Sequence, residues 1–540
     1  MFRVAFRQSW VGIVAVSAVG VVAGLAQASA YNTVAGTTPA AHAAFGAATT
    51  ALARQVAYLL PLPLHPETLS GYVQWRVFGA LPLIVLIWAA LSASGAARGD
   101  EERGLVGAWL AAGVTRPRLL LWRAGLFVLG AVALGLLTGV ATDAGAAAAG
   151  DSIPIAGILG ETVALGALAA ACYGLVLVVA ELVGNRRTAA GAGGALLAAL
   201  FLLNGLSRTV NSHSPIVWLS PFHYYDRSDA VAPGGAVDWP ATAALLGIAS
   251  ALVGLAIALF VLRDLESAAL RPPAGSRPPR HLPSANPLLR IPVVAELYDQ
   301  RIGLSAWIAG TALAAVFITS IAAQTGDFIS SAPGMAAYAA ALGGSAQLTR
   351  AIIGSIDYAI TASLLSIYAL TVVARWAADD QEGRLELVLS QPLPRWRVVI
   401  VRIAALACGS LLIIIAASVA VAIMAPSQHI TVTTADLFRA GAPLVPLALL
   451  FGTVGATIAA RFPRLAVGVL GTYLAASYLI FQLGPFLNWP AWSLDFSVFK
   501  LYGNPLLSGI DWTGLLIMSA VALVGFGAAL LVMQRREVGS

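Results

Sequence analysis

The chain has 540 residues, of which 59% are hydrophobic and only 10% charged, with a mean hydropathy of +0.84. Soluble domains carry about 25% charged residues, so this chain cannot coat a water-facing surface and reads as an integral membrane protein. The net charge of +6 is almost wholly arginine, and the apolar content excludes an intrinsically disordered chain or a secreted disulfide scaffold.

A helix crossing about 30 Å of hydrocarbon needs roughly 20 apolar residues. Twelve such runs occur, near 10–29, 77–96, 119–141, 155–182, 188–206, 241–262, 304–322, 355–376, 398–424, 440–460, 465–484 and 512–533. Glycine and proline interrupt 188–206, and proline interrupts 440–460. With both termini cytoplasmic, 24 of the 31 basic residues fall on the inner side, as the positive-inside rule expects. That bias would be scrambled by adding or dropping one span. A rival reading of the N-terminus is a cleaved secretory signal, with Arg3, Arg7, the run from Val11 and the Ala28-Ser29-Ala30 ending. An internal repeat opposes it, because 304–322 occupies the matching place in the second half. Gly20 and Gly24 in the first run have the four-residue spacing that permits close helix contact.

Shifting the sequence by 279 places Asp100-Glu101-Glu102-Arg103-Gly104 over Asp379-Asp380-Gln381-Glu382-Gly383. It also places Arg116-Pro117-Arg118 over Arg395-Trp396-Arg397, and Arg123 over Arg402. Asp238-Trp239 and Asp511-Trp512 each precede the sixth run of their half. Two six-helix halves running in the same direction make a parallel repeat about an axis along the membrane normal. The expected fold class is therefore all-α, with about 12 transmembrane helices as a 6+6 repeat and cytoplasmic amphipathic coupling helices. The halves are 1–262 and 304–540. Between them, 263–303 is a cytoplasmic linker with seven prolines between Arg271 and Pro292, ending in an amphipathic entry helix at Ile291–Arg301.

The segments 98–118 and 377–397 carry the most information. Each opens on acidic residues and continues with apolar residues at helical spacing, Leu105, Ala108, Trp109 and Ala112 or Leu385, Val388 and Leu389. Each then closes on arginines before the next span. An acidic end at the inner membrane surface is unexpected, because anionic head groups favour Lys and Arg. A basic protein partner accounts for it; the alternative is a solvated helix start.

Two acidic residues, a glycine, an amphipathic turn and basic residues after the second span resemble the ABC-2 type permeases, as does Leu219-Ser220-Pro221-Phe222 before the sixth span. A single chain with two such halves resembles the actinobacterial exporters of polyketide antibiotics, the tetronasin type, or of multiple drugs. The resemblance covers essentially the whole chain. It implies that two copies of a separate ATP-binding cassette subunit dock on Asp100, Glu101, Glu102, Arg103 and Gly104, and on Asp380, Glu382, Gly383, Arg384 and Glu386. Where the family follows the glycine with Thr-Leu-Glu, this chain has Arg384-Leu385-Glu386 in one copy and Leu105-Val106-Gly107 in the other. Unequal docking is expected.

Lys500, the only lysine, follows Phe499 and precedes Leu501, so a phosphate-binding loop of the G-x-x-x-x-G-K-[ST] type is missing. No cofactor is expected on this chain, and ATP and Mg would be used by the partner subunit. The expected activity is transport of hydrophobic or amphipathic small molecules, not enzymatic conversion. No catalytic residue, metal site or nucleic-acid interface is read. His213 and His223 share a loop without a third ligand, and Cys172 and Cys408 read as small core residues.

Ionisable residues inside the spans are few: Glu161, Glu181 and Asp357. A secondary, ion-coupled 6+6 transporter needs a membrane-embedded carboxylate, and Glu161 is the candidate for that alternative. A non-transporting membrane assembly is the other rival. Phe201, Asn204, Tyr473, Tyr478 and Phe481, in the fifth and eleventh runs, are candidates for the cargo path or for packing. The loop 207–240, with Trp218, Phe222, Tyr224 and Tyr225, is expected to be a re-entrant or interfacial cap.

Overall fold

A computed structural model describes residues 2–210, 215–265, 287–331, 349–350, 353–381, 383–390, 394–428, 430–483 and 489–535. All regular structure among the described residues is helical. Twelve helices are long and apolar enough to cross a membrane. In chain order they are α1 (Ser9–Ser29), α2 (Leu69–Glu102), α3 (Arg116–Ala148), α4 (Ile155–Leu182), α5 (Arg186–Arg208) and α6 (Trp239–Leu262). They continue as α7 (Arg301–Ser320), α8 (Tyr358–Gln381), α9 (Arg395–Gln428), α10 (Thr434–Arg461), α11 (Pro463–Phe481) and α12 (Trp512–Arg535). The chain is thus an all-α, multi-pass membrane protein. It divides into two compact units, Met1–Pro279 with Ser331–Ala336, and Arg280–Ser330 with Ala337–Ser540.

In the first unit α4 is the central helix, buried over 72% of its apolar window against 17% for α1. α2, α3, α5 and α6 pack around it, and α1 lies along α3. Small residues make that seam. A Cβ on Gly24 would come within 3.0 Å of the Thr138 carbonyl oxygen, and one on Gly145 within 2.8 Å of the Leu25 carbonyl oxygen. Gly20 and Gly24 therefore allow the backbones the close approach that their spacing suggests.

α2 is not one regular helix. Leu69–Arg76 is α-helical, Phe78–Ala80 is 3₁₀ and Leu81–Ser94 is α-helical. A π turn over Gly95–Gly99 then widens the spiral before Asp100–Glu102. Between α1 and α2 lies a layer absent from the sequence reading. Pro39–Gln55 forms a helix that starts on a Thr38 cap and an N-terminal proline, a standard start signal. Tyr31, Phe45 and Tyr72 cluster beneath it with centroids 5.5–5.8 Å apart. The Tyr31 hydroxyl donates to the Glu67 carbonyl at 2.6 Å, and the Tyr72 hydroxyl to Gln27 at 2.8 Å.

In the second unit α10 packs between α8 and α12, over a core that includes Tyr358, Leu365, Tyr368, Phe451 and Tyr502. The entry helix runs Pro292–Asp299 and lies on α9, with Leu297 against the core. Most of the proline-rich linker, 266–286, lies outside the described residues. The two cysteines differ: Cys172 is buried, but Cys408 is exposed. The expectation of a core position for Cys408 is corrected here, because an apolar run in a membrane helix has an outward face as apolar as its inward one.

Candidate functional site

In both segments that open on acidic residues, one glycine sets the geometry. Gly104 and Gly383 adopt φ of +71° and +73°, a left-handed conformation that a side chain resists. Each ends the preceding helix and starts a short one, Leu105–Ala111 or Arg384–Leu389.

The acidic residues before Gly104 do not form a surface patch. Asp100 and Glu101 are 2% and 5% exposed. Asp100 accepts from Arg103 at 2.6 Å on one oxygen and from Arg123 on the other. Glu101 belongs to a four-member buried cluster with Arg98, Glu181 and Arg263. Arg263 donates to its two oxygens at 2.8 and 2.7 Å, and Arg98 donates to it at 3.0 Å. Arg263 also reaches Glu181 at 2.5 Å, while Arg98 donates to the Ala180 carbonyl at 2.6 Å and the Glu181 carbonyl at 3.0 Å. The π turn carries Arg98 inward, so the end of α2 is tied to the ends of α4 and α6. Arg116 completes the tie by donating to the carbonyls of Phe260, Val261 and Arg263 at 2.8, 3.1 and 2.7 Å. Two cations and two anions cancel inside the cluster, as buried charges must. Only Glu102, Arg103 and Gly104 of the five motif residues are exposed.

The second segment is built more lightly. Asp379 accepts from Arg384 at 2.9 Å and Arg402 at 3.2 Å, repeating the Asp100–Arg123 pairing at the 279-residue shift. The positions matching Arg98, Glu101 and Glu181 are Ala377, Asp380 and Ala460. Asp380 and Ala460 line a cavity of about 20 Å³ with Trp376, Leu385, Val399, Arg402 and Met533, where the first unit has its charge cluster. Glu382 lies outside the described residues. Gly383 is half-buried, and Arg384 and Glu386 are exposed, beside Leu387 at 72% and Val388 at 42% exposure.

The loop after α5 turns back into the first unit. A 3₁₀ turn, Pro215–Leu219, leads into the short helix Pro221–Tyr225. The Ser220 hydroxyl donates to the Leu200 carbonyl at 2.8 Å, Phe222 packs edge-on to Phe201, and the Tyr225 hydroxyl donates to the Phe78 carbonyl at 3.1 Å. The second unit has the same construction 277 residues on. Ser497 donates to the Ser477 carbonyl at 2.8 Å, Phe499 meets Tyr478 edge-on, and Tyr502 donates to the Ala440 carbonyl at 2.9 Å. The Ser-x-Phe-x-x-Tyr pattern is visible in both places in the sequence, but the reading took in only its first copy. His213 lies outside the described residues, and His223 stacks edge-on to Trp218.

Of the path candidates, Phe201 and Asn204 lie in the first unit and Tyr473, Tyr478 and Phe481 in the second. Phe201 is held by Phe222, and Asn204, 1% exposed, donates to Asp226 at 2.6 Å. Arg208 pairs with that carboxylate too. Tyr473 and Tyr478 are 37% and 43% exposed, and Phe481 packs toward Phe499. Glu161 is fully buried, with Tyr225, Gln74 and the Ala230 amide around its carboxylate. Asp357, 1% exposed, accepts from Thr319 at 3.2 Å. No group of three His, Cys, Asp or Glu residues able to hold a metal occurs among the described residues.

The family model described as "Multidrug efflux system permease Rv1217c, C-terminal domain" matches residues 71–261 and 289–534. Those ranges take in α2 to α6 and the second unit from the entry helix to α12. No curated protein matches the chain.

Proposed function

The chain belongs to the multidrug efflux system permease family, and from that premise we propose that it is the membrane-spanning subunit of an ATP-driven, ABC-2 type exporter. In this reading two copies of a separate ATP-binding subunit bind the nucleotide and Mg. This chain supplies both halves of the path, as a 6+6 repeat in the bacterial plasma membrane with both termini cytoplasmic. Its cargo is a hydrophobic or amphipathic small molecule, such as an antibiotic or drug, moved out of the cell.

One observation carries the reading: a pair of short helices, each hinged on a left-handed glycine and set 279 residues apart. The second presents Glu386, Leu387 and Val388 outward, a surface on which a soluble subunit can press. The first is anchored to α4 and α6 through the buried charge cluster, so a push on it tilts the bundle instead of bending a loop. The lighter second segment supports unequal docking.

Affinity capture of the chain from native membranes, followed by mass spectrometry, tests the partner. A polypeptide with a phosphate-binding loop at two copies per chain is expected. In that complex Glu386→Arg should leave the fold intact and separate ATP hydrolysis from transport. Unchanged coupling would remove Glu386 from the interface.

A second reading rests on Glu161, whose fully buried carboxylate suits an ion-coupled transporter. It expects Glu161→Gln to abolish transport driven by a proton gradient, with ATP irrelevant.

A further inference from the structure

A cavity of about 580 Å³ lies within the first unit, among α1, α2, α3, α4 and the start of α5. That volume is in the range of small-molecule sites, roughly 300–1,000 Å³. Its two ends differ in chemistry. At one end Trp88, Phe127 and Tyr173 follow one another, with ring centroids 4.3 and 4.4 Å apart. At the other stand Asp100, Arg103, Arg123 and Arg186.

The charges at that end do not balance. Asp100 is the one carboxylate in the lining and is already engaged by Arg103 and Arg123. Glu101 is turned away to Arg98 and Arg263. Three guanidinium groups therefore face one carboxylate in the lining; the Glu102 carboxylate, which accepts from the Arg186 amide at 2.7 Å, offsets one more and leaves one net positive charge beside an apolar wall. Arg186 is held at the cavity edge by its stem, which crosses Gly99 so closely that a Cβ there would lie 2.9 Å from Arg186 Cδ. Cationic groups next to an aromatic wall recognise a molecule with an anionic head and an apolar body. The second unit has no such wall: 279 residues on from Trp88, Phe127 and Tyr173 stand Ile367, Leu406 and Gly452.

We propose that this cavity binds an amphiphilic anion, with its apolar body against Trp88, Phe127 and Tyr173 and its carboxylate or phosphate on Arg186 and Arg103. The assignment goes beyond the transport reading and stands without it, since binding needs neither ATP nor a second polypeptide.

The test is native mass spectrometry of the full-length chain in detergent micelles, delipidated and titrated with three probes. Palmitate represents a free amphiphilic acid, lysophosphatidylglycerol a lipid head group, and hexadecanol a neutral control of the same chain length. One or both anions are expected to bind at least about tenfold more tightly than hexadecanol, the loss that follows from removing one charged hydrogen bond. Binding of lysophosphatidylglycerol alone would make a lipid head group the source. Binding of palmitate would make it a free amphiphile. Arg186→Gln should weaken anion binding about tenfold at an unchanged melting temperature, and Trp88→Leu should weaken all three probes. Equal binding of hexadecanol, or an Arg186→Gln chain that melts normally and binds the anions as before, would overturn the assignment.

Discussion

Arg263 is the residue whose loss the buried charge cluster tolerates least. It is 6% exposed and holds Glu101 through two hydrogen bonds of 2.8 and 2.7 Å and Glu181 through one of 2.5 Å. Replacing it by Met keeps the length and removes the charge. Two carboxylates, 5% and 0% exposed, then lose these bonds, and the four-member cluster passes from neutral to one net negative charge. Removing one partner of a buried pair costs about 3–5 kcal/mol. The expected loss for Arg263→Met is in that range, read from SDS-induced unfolding in mixed micelles. The origin of the loss is separable from mere packing. Adding Glu181→Gln to Arg263→Met restores neutrality and should recover at least about half of it, a coupling of the size that contacting residues show. Glu102→Ala, at the exposed position next to Glu101, removes only the acceptor of the Arg186 amide at 2.7 Å and should cost about 1 kcal/mol. An Arg263→Met chain as stable as Glu102→Ala, or a double variant less stable than Arg263→Met, would refute the account of the cluster as a neutral, mutually dependent set.

Three further outcomes follow from other parts of the structure. Burial, with the Asp226 charge added, raises the Asp229 carboxyl from 3.8 to about 6. The folded state therefore holds this proton more tightly than the unfolded one, so stability falls as pH rises from about 4 to about 6 and is level above. Asp229→Asn should flatten that slope in unfolding measurements across the window and stabilise the chain above pH 6 by up to about 3 kcal/mol; a slope equal to the parent's would assign the effect elsewhere. Gly383→Ala forces a side chain into a left-handed position, costing roughly 1–2 kcal/mol, and should lower transport per ATP hydrolysed in vesicles more than it lowers the melting temperature, with Gly383→Asn milder on both. Ser220→Ala and Ser497→Ala each remove a second hydrogen bond from a helix carbonyl that keeps its backbone donor, and should each cost about 0.5–1.5 kcal/mol in the same unfolding assay; a large loss in one and none in the other would show that the two hooks are not equivalent.

The spans were legible because crossing a membrane demands a long apolar run whatever the fold, and all twelve lie where the hydropathy places them. Gly20 and Gly24 were legible for a similar reason: close packing in lipid needs small residues at a fixed spacing. The left-handed turn at Gly104 and Gly383 could be placed from the acidic-glycine motif. The partners of the acids could not. Glu101 meets Arg263 across 162 residues, and nothing local distinguishes an acid turned into the bundle from one offered to a partner. The π turn that rotates Arg98 inward leaves no mark on hydropathy. Nor does a membrane helix reveal its lipid-facing side when both sides are apolar, which is why Cys408 was misplaced. Phe201 and Asn204 belong to the same class, since their roles are set by Phe222 and Asp226 on a loop whose return into the bundle sequence alone does not orient.

The two re-entrant hooks hold by main-chain acceptors. Ser220, Tyr225, Ser497 and Tyr502 all donate to carbonyl oxygens, of Leu200, Phe78, Ser477 and Ala440. A carbonyl is supplied by any residue, so these four acceptors place no constraint on identity, and the identity-dependent parts are the serine and tyrosine donors, the Phe222–Phe201 and Phe499–Tyr478 ring pairs, and the Ser477 hydroxyl that accepts from the Val498 amide at 2.9 Å. Such a joint survives extensive substitution of the helices it fastens. The bundle can then vary its cargo-facing and lipid-facing side chains freely while the loop returns to the same place. Divergence between the two halves of one chain is thus least constrained at Leu200, Phe78 and Ala440, which offer the joints nothing but a carbonyl.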